Sequence, residues 1–127
     1  ADREAVRDLV ANQIAYFWLM CVVTVKFILR GDGVRVNAYL DVLERTLRQV
    51  ERLLTGEADR WQRDALIELQ VEPHEQIAAV RSACRRMQKL VPKAVEMGGK
   101  VPFNPNTTVE RLLEMAEDVT GRQGVSP

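Results

Sequence analysis

The chain has 127 residues, 46% of them hydrophobic, with 18 Lys and Arg balanced by 18 Asp and Glu. That length suits a single domain able to bury roughly two thirds of the surface its unfolded form exposes. A zero net charge leaves no basic excess of the kind that nucleic-acid binding by phosphate neutralisation requires, so no nucleic-acid partner is expected.

A first helix is predicted from Asp2 to Arg30, with Asp2 as its cap and Gly31 and Gly33 as its stop. Val6, Leu9 and Val10 make its entry amphipathic, and Ile14 to Val23 is then an unbroken apolar run of ten residues. Lys26 is the one cation between that run and Leu29. A helix of this pattern has no wet face and is expected to be wrapped by neighbours. The rival reading is a membrane span. The window from Leu9 to Leu29 contains Asn12, Gln13, Thr24 and Lys26, and its clean run is shorter than the ~18 apolar residues a span needs, so no membrane partner is expected.

The second helix, about Val34 to Leu54, has the sharpest periodicity in the chain. Val36, Leu40, Leu43, Leu47, Val50 and Leu54 alternate steps of four and three, which is the seam of a helix packed along its length. Asp41, Glu44, Arg45, Arg48, Glu51 and Arg52 fall on the other side and read as a solvated face. Gly56 closes this helix. Trp61, Ala65, Leu66 and Leu69 then mark a short helix with Asp59 as cap. Pro73 suits the first position of a further helix whose seam runs through Ile77, Val80, Cys84, Met87, Val91 and Ala94, and Pro92 is expected to kink or end it near Val91. The run from Gly98 to Thr107 reads as a loop pinned by Val101 and Phe103. Thr107 and Glu110 form a capping-box pattern for a last helix carrying Val109, Leu112, Leu113, Ala116 and Val119. Gly121 is expected to end it, leaving 122–127 as a frayed tail to a domain spanning 1–121. With no strand pattern anywhere, the fold class is all-α, an antiparallel bundle of four to five helices around the apolar first helix.

Little in the chain carries chemistry by itself. His74 has no second His or Cys at metal-ligand spacing and reads as a solvated first-turn residue, so no metal is expected. Cys21 and Cys84 both lie in apolar helical patterns and read as reduced core thiols of a cytoplasmic protein, with a single disulfide as the alternative. The glycines at 31, 33, 98 and 99 follow no strand and accompany no phosphate-binding lysine and hydroxyl pair. Ile67, Glu68 and Leu69 stand ahead of His74 where a helical RNase-type toxin would carry an arginine. The remaining candidates are on the first helix. The stem of Lys26 crosses apolar surface between Val22, Val23, Phe27 and Ile28, and Arg30 lies one turn on, so both cations can converge on one anion. Tyr16 and Trp18 precede them as core rings with a polar edge.

Phe17-Trp18, Val25-Lys26 and Arg30-Gly31-Asp32, followed by Ala38 and a Leu-rich helix with Arg45 and Arg48, resemble the C-terminal helical domain of aminoglycoside 6-adenylyltransferases and lincosamide-type nucleotidyltransferases. Ala94-Val95-Glu96, Val101-Pro102-Phe103 and the closing amphipathic helix extend the likeness over nearly the whole chain. Tyr16 and Val22 stand where some relatives carry an acidic residue. The resemblance implies a substrate-binding or helper domain, inactive alone. Its partner would be an N-terminal nucleotidyltransferase domain, in cis or in trans, that holds the catalytic Gly-Ser motif, the metal-binding carboxylates, ATP and Mg2+. On the same resemblance Lys26 faces the interdomain cleft near the nucleotide phosphates or a small-molecule substrate, with Arg30, Tyr16 and Trp18 beside it. Two other functions remain in play: a dimerisation or protein-interaction module that forms a homo-oligomer and, disfavoured by the residues ahead of His74, a helical RNase-type module.

Overall fold

A computed structural model describes residues 3–56, 68–98 and 106–124, which form four helices: α1 (Arg3–Leu29), α2 (Gly33–Thr55), α3 (Pro73–Glu96) and α4 (Asn106–Gly124). No strand occurs among the described residues, and the fold is an all-α bundle. The short helix expected around Trp61 and the loop with Val101 and Phe103 fall outside the described residues. Leu69, expected on that helix's apolar side, is exposed and lies outside any helix.

The turn between α1 and α2 follows from its glycine. Gly31 adopts φ 73°, a left-handed conformation that L side chains rarely enter, and the chain reverses there. The Gly31 N–H donates to the Ile28 carbonyl and the Asp32 N–H to the Phe27 carbonyl, which satisfies the last carbonyls of α1. Asp32 then caps α2, its carboxylate accepting the Arg35 N–H at 3.2 Å. With three residues between them, α1 and α2 must run antiparallel. Gly56, at φ 74°, closes α2 in the same left-handed way.

Helix α1 is the hub: it packs against α2, α3 and α4, and α3 also touches both α2 and α4. Phe17, Ile14 and Val25 of α1 meet Leu43 and Leu47 of α2, Ile77 and Met87 of α3, and Leu113 of α4 in one core from which water is excluded. The seams read from the sequence are the buried faces, except that Val119, expected on the apolar stripe of the last helix, is exposed. Leu54, Val91 and Leu112, at their margins, are half-buried. Asn37 ties the approach to α3 onto α2: its Nδ2 donates to the Gln70 carbonyl at 2.9 Å while its Oδ1 accepts the Gln70 N–H at 2.7 Å. The buried Gln76 side chain donates to the same carbonyl at 3.0 Å.

Several boundaries differ from the sequence reading. Helix α3 continues through Pro92 to Glu96; the exposed proline removes one donor, and Ala94 beyond it is buried in the core, so tertiary packing holds the last turn. Helix α4 begins at Asn106, which puts Thr107 inside the first turn instead of at the cap. Glu110 is engaged across the bundle by Arg81, at 2.8 Å. Helix α4 also passes Gly121 and ends at Gly124.

The charged side of α2 is not simply solvated. Glu44, with 12% of its side chain exposed, is gripped by Arg48 from its own helix at 3.1 Å and by Arg86 of α3. Arg86 also reaches Glu51 at 3.4 Å. Arg81 joins α3 to α4 through Glu110 and Glu117. In both arginines the carboxylate partners raise the pKa further above its ordinary value and outweigh the cost of burial.

Candidate functional site

The first helix is not wrapped on every side. Val10, Ile14, Phe17, Trp18, Cys21, Val25 and Ile28 face the core, whereas Tyr16 is 43% and Leu19 58% exposed. Reading along the open side gives Leu9, Asn12, Tyr16, Leu19, Val23, Lys26 and Arg30, again in alternating steps of three and four. That spacing keeps one straight stripe on a helix surface, and here Leu9, Asn12, Tyr16, Leu19, Lys26 and Arg30 are exposed while Val23 is half-buried. Its middle is apolar and its C-terminal end is cationic.

Of the four residues that the sequence points to, three share this face. Tyr16 stands at its centre, Lys26 is exposed one turn before its end, and Arg30 is exposed in the turn that follows α1. Trp18 is separated from them. It is 2% exposed, edge-on to Phe17 at 5.2 Å, and its Nε1 is buried with no hydrogen-bond partner. Trp18 is therefore a packing residue of the core side.

At the cationic end the two helices form an aromatic and arginine corner. Phe27 stacks on Tyr39 with centroids 5.3 Å apart and planes 11° from parallel. The guanidiniums of Arg30 and Arg35 sit 5.6 and 5.4 Å from the Phe27 centroid, within cation–π range. Asp32 pairs with Arg35 at 3.4 Å, which leaves Lys26 and Arg30 as the positive charges that the stripe presents to solvent. Such a surface can attract a phosphate or carboxylate beside an apolar contact. Nothing in it supplies a nucleophile with an adjacent base, and among the described residues no group of His, Cys, Asp and Glu is placed to hold a metal ion. His74 is exposed at the start of α3.

The two cysteines meet on the opposite side of α1. Cys21 of α1 and Cys84 of α3 are buried and unlinked, with their sulfurs 3.7 Å apart in a thiol–thiol hydrogen bond. Burial, then that bond, pushes the Cys21 thiol well above its ordinary pKa.

Leu19 and Val23 are the site residues that sequence reasoning missed, because every face of the run around them is apolar. A usable signal was present in the polar residues instead. Asn12, Lys26 and Arg30 all fall on the open stripe, while Thr24, buried on the core side, donates its hydroxyl to the Met20 carbonyl of its own helix at 2.6 Å. Helix α1 is also long and apolar enough to cross a membrane. In the bundle its core face packs against α2, α3 and α4.

Comparisons of the chain with family models, with curated proteins and with solved structures find no match. The class is thus defined by the architecture alone: an all-α bundle with one helix face left open.

Proposed function

We propose that this chain is the helical helper domain of a nucleotidyltransferase-like protein, non-catalytic alone, which docks through the open face of α1. The observation that carries this reading is the stripe itself, an apolar strip at Tyr16, Leu19 and Val23 that runs without a break into Lys26 and Arg30. An apolar strip supplies contact area to a partner domain, and two cations at its end supply charge for an anion held between the domains. The resemblance of Phe17-Trp18, Val25-Lys26 and Arg30-Gly31-Asp32 names the partner as the catalytic α/β domain and the anion as a nucleotide phosphate or a small-molecule substrate. ATP and Mg2+ would belong to that partner, and a cytoplasmic setting suits both domains.

The test is a substitution that spares the fold. Lys26 is exposed, so Lys26→Met removes a charge without opening a cavity, and thermal unfolding should be unchanged. In the protein that carries both domains, the same change should weaken nucleotide or substrate binding in a calorimetric titration by about 1.5–3 kcal/mol, the size of a charged hydrogen bond. Unchanged affinity would remove Lys26 from the site. The isolated chain should give no adenylylated product from ATP, Mg2+ and aminoglycosides.

One observation favours a second reading, self-association. The heptad-like spacing of the stripe is that of a helix-pairing seam, and antiparallel pairing about Leu19 would set Arg30 of one copy against Asp8 of the other. Sedimentation separates the two: this reading requires a dimer of the chain alone that Leu19→Glu dissolves.

A further inference from the structure

We propose that Cys21 and Cys84 are a cross-linking site: under a hydroperoxide oxidant they form an intramolecular disulfide that locks α1 to α3. These are the two cysteines of the chain, so pairing within one molecule has a single solution. Their sulfurs already touch at 3.7 Å across the interface between the two helices, and closing to the ~2.05 Å of a disulfide asks for a small approach of two facing side chains. Both positions lie on the faces that hold the core together, Cys21 one turn after Phe17 and Cys84 one turn after Val80. The inference is independent of the docking role proposed above, because the thiols lie on the side of α1 away from the open stripe.

The chemistry balances with hydrogen peroxide. The sulfur of Cys84, a residue 5% exposed against 0% for Cys21, attacks one peroxide oxygen; the O–O bond breaks, and a sulfenic acid and one water result. The Cys21 sulfur then displaces the sulfenic hydroxyl, which leaves as a second water with the thiol proton of Cys21. Two thiols and one hydrogen peroxide become one disulfide and two waters. Burial keeps Cys21 a thiol, so the cross-link forms slowly and in step with local opening of the α1–α3 interface. The same burial shields the finished bond from bulky reductants. The bond also joins residues 63 apart in sequence, and a long closed loop strongly restricts the unfolded chain.

The experiment treats the full chain with hydrogen peroxide, quenches in denaturant with N-ethylmaleimide, and reads the peptide map, a non-reducing gel and thermal unfolding. The expected result is joint loss of both maleimide adducts, a linked peptide containing Cys21 and Cys84, and no chain-to-chain cross-link. Tm should rise by on the order of 10 °C, reversed by dithiothreitol. In Cys84→Ala the Cys21 adduct should survive the same treatment. If that variant does not fold, the wild-type peptide map decides alone. Free thiols after full oxidation, over-oxidised cysteines with no linked peptide, or a linked chain that melts no higher than the reduced one would each overturn the proposal.

Discussion

Helices α1 and α2 pack against each other, yet they hide opposite kinds of information. Helix α2 alternates a seam with charges, so the side it buries can be read directly: Val36, Leu40, Leu43, Leu47 and Val50 are all in the core. Helix α1 has an apolar side chain at nearly every position of its central turns, and the bundle still covers only one face of it. Phe17 is fully buried and Leu19, two residues on, is 58% exposed. Apolarity all round therefore does not oblige a helix to be enclosed. Among the described residues α1 has three neighbouring helices, and they line only part of its circumference. What these helices leave uncovered is a surface on which a partner can pack.

Substituting one residue on each face of α1 should separate the two faces, and the core face should show the largest loss. Phe17→Ala should cost about 3–5 kcal/mol, since it removes a fully buried ring from the junction of the helices. Equilibrium urea unfolding reads this, and a loss under ~1 kcal/mol would mean that the core face of α1 is wrongly assigned.

A smaller effect should come from the thiol on that same face. Cys21 ionises higher in the folded protein than in the unfolded chain, so the unfolded chain releases the proton first as pH rises. Its contribution is therefore intact below the ordinary thiol value of 9.0 and declines as pH rises above it. Measured in reducing buffer as the difference between wild type and Cys21→Ala, stability should converge as pH climbs past that value. Parallel profiles would show that the thiol is not shielded from water.

The smallest change in stability should come from the open face. Leu19→Glu should leave unfolding free energy within about 0.5 kcal/mol, because the side chain is already in water. Its effect should fall on association with whichever domain covers α1. A large loss of stability in the monomer would mean that Leu19 is a core residue after all.

Much of the fold was legible because the chain's physics is local. The seams of α2 and α3, the turn at Gly31, the stop at Gly56 and the start at Pro73 all follow from side-chain spacing or from backbone constraints that one residue imposes. The candidate site was half legible. Lys26 and Arg30 stand out as charges in an apolar helix, and they do share the open stripe with Tyr16, while Trp18, similar to Tyr16 as an aromatic in the same run, points into the core. Nothing in the run distinguishes them, since both are large and apolar-bodied and differ only by the rotation of two residues around the helix.

Local sequence pattern suffices for the all-α bundle, for the turn between its first two helices, and for most of the faces that its amphipathic helices bury. Tertiary structure alone decided how far α1 is covered, that Glu44 is clamped by Arg86 of α3 instead of lying on a solvated face, and that Cys21 and Cys84 meet. It also carried α3 past Pro92 and α4 past Gly121. The reason is one of range. Propensity, capping and periodicity act within a few residues, and they specify a face only when that face differs from its opposite. Burial of a uniformly apolar helix, and the pairing of groups on separate helices, depend on how many neighbours arrive and from which side.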